Sequence, residues 1–159
     1  MQAAMTFALR PSQESDRDFL FRLYASTRAD EIAPFGWPPA QQEAFLLMQF
    51  TAQQRSYSMS YAQAEHQIIE QDGIPIGRIM VWRQPPAAVL IDIALLPEHR
   101  GKGIGGRLIR QLIQECSQQR LPLRLQVLRG NPALRLYERL GFVHTEEDQM
   151  YIHMERPPS

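Results

Sequence analysis

The spacing of apolar residues changes partway along this chain. In the first 60 residues apolar side chains recur every three or four positions, as in amphipathic helices, with Phe19, Leu20 and Leu23 on one predicted helix and Phe45 and Met48 on another. After residue 65, short apolar runs separated by turn residues indicate strands. We predict strands at residues 6–10, 66–70, 76–83, 89–96, 123–128, 142–145 and 149–155, and helices from residue 12, over 40–59, from the glycine-rich segment to about 119, and over 131–140.

The resulting order of elements is β-α-α-β-β-β-α-β-α-β-β. It predicts an α+β fold, with a mixed, mostly antiparallel central sheet of about seven strands flanked by four helices. The strand at 89–96, the helix after it and the strand at 123–128 form a β-α-β unit, so these two strands should be parallel. Residues 29–39 contain three prolines and a glycine and are predicted to be a loop. The length of 159 residues suits one domain over 1–159.

The single cysteine and the absence of long apolar runs set limits on the class of protein. Cys116 cannot form an intrachain disulfide, and its place in a predicted helix favours a buried structural thiol. His66 and His99 do not form a known ligand set, so we predict no metal. With no leader-like N-terminus and no membrane-length segment, we expect a cytoplasmic protein that binds no membrane.

Charge is balanced in total but uneven along the chain. The 17 basic and 17 acidic residues cancel, yet between Glu98 and Leu140 there are nine Lys/Arg and three Asp/Glu. This split fits a polyanionic ligand on one side and a cationic one on the other, and it equally fits solvated helix faces. Few aromatic residues lie among the basic ones, so we do not predict nucleic-acid binding.

Residues 100–106, Arg-Gly-Lys-Gly-Ile-Gly-Gly, form a glycine-rich turn between a predicted strand and a predicted helix. Such a turn brings the backbone close to an anion and points the first helical N–H groups at it, which predicts a phosphate site. The segment also matches a dinucleotide-binding pattern. However, four residues separate the strand from Gly101, and the next strand ends in Leu128 and Arg129 rather than an acid. A nucleotide-binding oxidoreductase is therefore the less favoured alternative.

Two motifs carry a more specific resemblance. Arg100-x-x-Gly103-x-Gly105 follows the strand Ile-Asp-Ile-Ala-Leu-Leu-Pro, and the later helix has Tyr137-x-x-x-Gly141-Phe142. Together, in this order, they resemble the acyl-CoA-binding motif and the following helix of the GCN5-related N-acetyltransferase (GNAT) superfamily. The resemblance covers roughly residues 90–142, and the N-terminal half resembles the family only in its order of elements.

The resemblance implies acetyl-CoA as cosubstrate and a GNAT-like sheet whose fourth and fifth strands splay apart. Backbone groups of the fourth strand would hold the pantetheine arm, and the glycine-loop amides would hold the pyrophosphate. The residues it implies for the cofactor are Ile93, Ala94, Leu95, Arg100, Gly101, Lys102, Gly103, Ile104, Gly105, Gly106 and Asn131. Lys102 is equally well explained as a solvated loop lysine. Asn131 is a good helix N-cap, but it precedes Tyr137 by six residues where many relatives have seven.

For catalysis, the resemblance implies that Tyr137 protonates the departing CoA thiolate, a role that suits a phenol because its pKa exceeds that of a thiol. The alternative is a packing tyrosine. Asp92, the charged residue of the fourth strand, is a candidate base or amine anchor, or else a structural partner of an arginine. Relatives that acetylate protein N-termini carry Glu where this chain has Gln126, which argues against that activity.

The acceptor is less well defined. In the family the loop between the first two helices covers the acceptor site, and here it contains Glu31, Phe35 and Trp37, which suit a cationic amine or form a lid packed on the core. We predict an N-acetyltransferase that moves acetyl from acetyl-CoA to a small-molecule, peptide or protein amine by direct attack in a ternary complex. It would be a monomer or homodimer. The alternative is a non-catalytic acyl-CoA-binding module on the same fold.

Overall fold

The predicted order of helices and strands is confirmed by a computed structural model of the chain, which describes residues 7–158. Residues 1–6 lie outside the described part of the chain. They include Thr6, which we placed in the first predicted strand, and the N-terminal segment in which we predicted no leader. The strands are β1 (Phe7–Pro11), β2 (Glu65–Gln71), β3 (Ile74–Gln84), β4 (Ala87–Leu95), β5 (Leu123–Leu128), β6 (Val143–Glu147) and β7 (Tyr151–Arg156). The helices are α1 (Arg17–Ile32), α2 (Pro39–Ser60), α3 (Ile104–Gln118) and α4 (Ala133–Arg139).

The strands form one seven-stranded mixed sheet in the order β1-β2-β3-β4-β5-β7-β6. The pairs β1–β2, β5–β7 and β6–β7 are antiparallel, whereas β4 and β5 are parallel, as the β-α-β unit around α3 requires. The predicted fold class is therefore confirmed, including its parallel central pair.

The chain divides into two compact units, which we call the N-terminal and C-terminal units. The N-terminal unit is the described part of Met1–Ile79 together with Ala94–His99, and the C-terminal unit is Met80–Ile93 together with the described part of Arg100–Ser159. Each unit is described here by itself. The assignment of residues 1–159 to a single domain stays a prediction.

The core of the N-terminal unit forms where α1, α2 and β2 bury Leu20, Phe50 and Ile68. The ring of Phe50 lies 5.6 Å from that of Phe21, between centroids. Met48, which shares the helical spacing of Phe45, has a side chain that is 60% exposed. The helix has apolar residues on two faces, and spacing alone does not tell which of them is buried.

An ion cluster ties β1 to β2 within the N-terminal unit. The Arg10 guanidinium donates two hydrogen bonds to the buried Asp16 carboxylate, at 2.7 and 2.8 Å, and a third to Glu70 at 2.8 Å. The amide of Gln13 donates to the same Asp16 carboxylate at 2.8 Å. These bonds, the one from Arg10 above all, outweigh burial and lower the pKa of Asp16 to about 2.

The predicted loop at residues 29–39 is shorter in the structure. Helix α1 continues to Ile32, a 3₁₀ turn covers Ala33–Phe35, and Gly36 ends it with φ of 65°. The residues before Pro34 are good helix formers, so the helix runs until the proline rather than stopping at Ala29.

In the C-terminal unit, one face of α3 is buried. Cys116 is the last buried residue on that face. Burial, and secondly the negative charge of Glu115, raises the pKa of the Cys116 thiol. The prediction of a buried structural thiol is thus confirmed. Within residues 7–158, no helix combines the length and apolar character needed to cross a membrane.

Candidate active site

The parallel strands β4 and β5 pair only at their beginnings. The register joins Ala88 to Leu123 and Val89 to Arg124, and no further pair is formed among the described residues, although β4 runs on to Leu95 and β5 to Leu128. The predicted splay between the fourth and fifth strands is therefore confirmed. It leaves an opening beside the second half of β4, where an extended ligand could add itself to the strand edge.

Along this stretch of β4, the backbone groups of successive residues point to opposite edges of the strand. A Cβ placed on Gly77 of β3 would collide with the carbonyl oxygen of Ala94, so that carbonyl faces β3. Backbone groups alternate in direction along a strand, and Ile93 therefore faces the opposite edge, where β5 has departed. Of the three backbone positions predicted to bind a cofactor arm, Ile93 lies on the open side, whereas the Ala94 carbonyl does not.

The glycine-rich loop leads directly into the first turn of α3. Gly101 has φ of 74° and Gly103 has φ of 81°, a left-handed conformation that favours glycine. Gly103 is the N-cap residue and offers no capping side chain, so the first amides of the helix, at Ile104, Gly105 and Gly106, point outward without an intrahelical acceptor. A Cβ on Gly101, Gly103 or Gly105 would have no heavy atom within 4 Å. The loop is thus an open cradle whose amides and helix dipole fit a phosphate group.

Basic side chains border this cradle. Arg100, Lys102 and Arg107 are all exposed at or beside the loop. Their charges reinforce the preference of the helix N-terminus for an anion. The structure therefore brings together the predicted anion-binding residues 100–106, while the specific role of Lys102 stays a prediction.

Helix α4 packs against the beginning of α3. Gly106 is buried, and a Cβ there would lie 3.9 Å from Leu136 of α4. The residue following Leu136 is Tyr137, the predicted catalytic tyrosine. Both helices belong to the C-terminal unit.

The Tyr137-x-x-x-Gly141-Phe142 spacing has a structural cause. The amide of Phe142 donates to the carbonyl of Tyr137 and the amide of Gly141 to that of Glu138, both at 3.1 Å, which is the Schellman pattern that ends a helix. Gly141 supplies the required left-handed residue, with φ of 98°. The rings of Tyr137 and Phe142 meet edge to face, with centroids 5.7 Å apart. The motif therefore locks the tyrosine into the last turn of α4.

Arg156 is a supporting residue that the sequence did not reveal. From the end of β7 its Nε donates to the carbonyl of Leu140 at 2.9 Å, at the C-terminal end of α4. The same guanidinium lies against Gly141, where a Cβ would come within 3.1 Å of Nε. A basic residue fits here because helix C-termini carry partial negative charge.

Asp92 and Tyr137 both belong to the C-terminal unit. Tyr137 is buried, and burial raises the pKa of its phenol above the ordinary value of 10.0. The negative charge of Asp92 on β4 raises that pKa further. The phenol is consequently protonated throughout the physiological pH range, as a proton donor must be. Asp92 itself is half-buried.

Asn131 precedes α4 and shapes its start. Its side-chain oxygen accepts a hydrogen bond from the amide of Ala133 at 2.9 Å. The helix begins at Ala133, with Pro132 in the N-cap position, so our placement of Asn131 as the N-cap was one residue too early. The side chain still satisfies a backbone donor at the helix start, as an Asx turn does.

The predicted acceptor-side residues lie in the N-terminal unit. They differ in how exposed they are and in whether they already have a charged partner. The Glu31 carboxylate is paired with Arg28 at 2.8 Å. Phe35 stacks on Trp37 with ring centroids 5.0 Å apart, and Trp37 contacts Phe45 edge to face. Phe35 is nevertheless 61% exposed. The aromatic pair is an exposed apolar platform, whereas Glu31 already has a cationic partner.

Among the described residues, no group of three or more His, Cys, Asp or Glu side chains is placed to hold a metal ion. Gln126, which cannot act as a base, pairs across the strands with His153 and is exposed.

The fold and this site together define a class of acetyltransferase. The chain belongs to the acetyltransferase (GNAT) family, whose family model matches residues 20–142. That match includes β4, the glycine loop and the end of α4, and extends through most of the N-terminal unit as well.

Among curated proteins, the chain is similar to a candidate ribosomal protein bS18-alanine N-acetyltransferase of Bacillus subtilis (strain 168). The two are 33% identical over 81 residues, which cover 49% of this chain and 53% of the relative. The matched stretch thus spans about half the length of that relative.

Solved structures share the fold over nearly the whole chain. The PaiA N-acetyltransferase of Thermoplasma acidophilum, solved with coenzyme A, is 20% identical, with a TM-score of 0.72 over 96% of this chain and 99% of that one. The ribosomal-protein-S18-alanine N-acetyltransferase of Escherichia coli is also 20% identical, with a TM-score of 0.66 over 97% and 95%. At such identities the likeness shows the fold.

Proposed function

We propose that this chain is an N-acetyltransferase that moves the acetyl group of acetyl-CoA to a primary amine by direct attack in a ternary complex. The observation that carries the proposal is a buried Tyr137 whose raised pKa keeps the phenol protonated, on the helix whose Leu136 lies beside Gly106 at the start of α3. Membership of the acetyltransferase (GNAT) family and the coenzyme A bound to the PaiA structure support acetyl-CoA as the donor.

Donor binding would use two backbone features, the glycine loop and β4. The amides of residues 101–106 would hold the pyrophosphate, with Arg100 and Lys102 adding charge. The pantetheine arm would lie along the open edge of β4 near Ile93, in the manner of an added strand, and continue past Ala94 and Leu95. Asn131, at the start of α4, would contact the arm if it can release or share its bond to Ala133.

Tyr137 would supply a proton as the thioester is cleaved. Acetyl-CoA provides the activated acetyl group, and the amine nitrogen forms the new bond to the carbonyl carbon while the carbon–sulfur bond breaks. The departing sulfur takes the Tyr137 proton, and solvent later restores it. The raised pKa weakens the phenol as an acid toward a thiolate of pKa about 8.5, but it also ensures that the donor is protonated in every turnover.

Asp92 would receive the proton that the acceptor ammonium must lose before its nitrogen can attack, directly or through a water molecule. A half-buried carboxylate on the strand beside the acyl group suits either this role or that of anchoring the amine. Its effect on the pKa of Tyr137 supports a location near the reacting atoms. Among the described residues, β4, the glycine loop and α4 contain no Ser, Thr or Cys that could form an acyl-enzyme, which is why we propose direct transfer.

For the acceptor we propose an amine with an apolar body, which would lie on the platform of Phe35 and Trp37. A second candidate is an N-terminal alanine of a protein, favoured by the similarity to the bS18-alanine acetyltransferase of Bacillus subtilis. Gln126 argues against this second candidate, because it cannot take a proton.

The proposal is tested by calorimetry followed by a thiol-release assay. We expect the purified chain to bind acetyl-CoA and CoA but not NADPH, and to release CoA thiol with at least one member of a panel of polyamines, amino acids, lysine peptides and alanine-terminated peptides. Binding of NADPH alone would contradict the donor assignment. Binding of CoA with no turnover on the whole panel would instead favour the non-catalytic module.

The role of Asp92 is tested separately by the pH dependence of kcat. The Asp92→Asn variant should lose the acidic limb of the pH–rate profile, with little change in the affinity for acetyl-CoA. Glu98→Gln, an exposed acid of the neighbouring turn, is the control and should keep the wild-type profile. An Asp92→Asn profile that retains its acidic limb would exclude Asp92 as the base.

A further inference from the structure

The outer face of α2 is an exposed apolar surface that the proposed chemistry does not use. A shallow groove of about 510 Å³ runs along it, lined by Ala44, Leu47, Met48, Thr51, Ala52 and Arg55. Leu47 is 44% exposed and Met48 60% exposed, whereas Leu46 and Phe50 on the other face are buried in the core of the N-terminal unit. We call the six lining residues the α2 stripe. Their spacing of three, four, seven, eight and eleven residues is that of one helix face.

The α2 stripe is complementary to itself when two copies run antiparallel. In a register centred between residues 49 and 50, Leu47 of one copy lies opposite Ala52 of the second, and Met48 lies opposite Thr51. Each large side chain then meets a small one, which allows two helices to approach closely and interdigitate. In a parallel pairing Leu47 would meet Leu47 and Met48 would meet Met48.

The charges on α2 favour the same arrangement. This helix of 22 residues has only two charged side chains, Glu43 and Arg55, one near each end of the stripe and both exposed. The antiparallel register brings Glu43 of each copy within about one residue of Arg55 of the other, so two opposite-charge pairs form by symmetry. A parallel register would place like charges together, which is destabilising.

We propose that the α2 stripe is the interface of a two-fold symmetric homodimer in which α2 packs antiparallel against α2 of a second copy. An interface built on one helix from each copy lies at the small end of specific interfaces, so the dimer dissociates at low concentration. The self-complementary sizes and charges favour a second copy over an unrelated partner.

Sedimentation velocity over a range of roughly 1 to 500 µM tests this dimer. The wild-type chain should shift from monomer to dimer within that range. Leu47→Glu should weaken the association about tenfold or more, because it places a carboxylate in the apolar centre of the interface. Ile74→Glu, at an apolar position at the start of β3 that is more exposed than Leu47, is the control and should dimerise as wild type does. A monomer at every concentration, or an unchanged dimer of Leu47→Glu, would overturn the proposal.

A charge exchange tests the register without altering the apolar residues. Glu43→Arg alone and Arg55→Glu alone should each weaken dimerisation about three- to tenfold, and the double variant should restore it. Each single variant should keep the wild-type melting temperature at monomeric concentrations, which separates association from folding. If the double variant dimerises no better than the single variants, the antiparallel register is wrong.

Discussion

The two units of this protein use their polar groups in opposite ways. In the N-terminal unit Arg10, Asp16 and Glu70 satisfy one another, and the cluster joins two strands. In the C-terminal unit the first turn of α3 has no capping side chain, and the pairing of β4 with β5 ends at Val89. Polar groups that bind each other stabilise a fold, whereas preorganised groups left open bind a ligand. The comparison therefore favours the C-terminal unit as the place where the proposed donor would bind.

The largest effect that tests this assignment is expected for Tyr137→Phe. Removing the hydroxyl should lower kcat about 100-fold, with the Kd for acetyl-CoA nearly unchanged, because the ring still packs on Phe142 while the proton donor is lost. Tyr151→Phe, a half-buried tyrosine of β7, is the matched control and should keep kcat. Steady-state kinetics and calorimetry measure the two quantities. A Tyr137→Phe enzyme with wild-type kcat would remove this residue from the mechanism.

Next in size is the loss of stability expected for Gly141→Ala. The added Cβ would sit at a φ of 98° and within 3.1 Å of the Arg156 side chain, so the free energy of unfolding should fall by about 2 to 3 kcal/mol. Gly130→Ala adds similar backbone strain, at a φ of 82° with open space around it, and should cost only about 1 kcal/mol. Urea unfolding compares the two variants. Equal losses would show that Arg156 yields freely to the new methyl group.

A smaller effect, on binding, is expected for Gly103→Ala. Its Cβ would project into the open cradle, and the affinity for acetyl-CoA should fall about tenfold. Gly73→Ala in the β2–β3 turn has the same φ of 81° and equally open surroundings, so it should lose the same stability without any loss of affinity. This pair separates backbone strain from ligand contact. If both variants keep full affinity, residues 101–106 do not hold the pyrophosphate.

The smallest effect is expected in the N-terminal unit, for Asp16→Asn. The variant should lose about 1 kcal/mol of stability at pH 7, less than the pKa shift alone implies because Arg10 is 30% exposed and solvent screens the pair. The folded-state pKa of Asp16 is lowered from 3.8 to about 2, so its contribution is complete above pH 3.8 and disappears as the pH falls through 2. Urea unfolding from pH 7 to 2 should show the wild-type advantage vanish over that range, with exposed Glu14→Gln as the control. A difference that persists at pH 2 would contradict an ionic origin.

The C-terminal unit could be predicted from sequence to a large extent. Strand β5 was predicted with its correct ends, and the glycine loop, α3 and the Tyr137-to-Phe142 turn were all located correctly. These features depend on local rules: glycine where φ is positive, one apolar face on α3, and a Schellman motif with fixed spacing.

Some features of the structure could not be predicted from the sequence. They depend on contacts between distant residues, or on a choice between two similar helix faces. Helix α2 has two apolar faces, and the spacing of Phe45 and Met48 does not tell which of them is buried. The contact of Arg156 with the end of α4 joins residues far apart in the sequence. Glu31 and Arg28 are three residues apart, a spacing that allows an ion pair on a helix, but we did not predict it. The catalytic and binding roles of the site residues stay predictions, and the variants above test them.

Burial of Cys116 has a practical consequence for enzymology. It is the only thiol of the chain, and its raised pKa keeps it in the unreactive protonated form at neutral pH. Disulfide-exchange dyes should therefore report CoA released in turnover with almost no background from the protein itself. For the same reason, one cysteine introduced on the surface would accept a fluorophore at a single defined position, without first removing the native one.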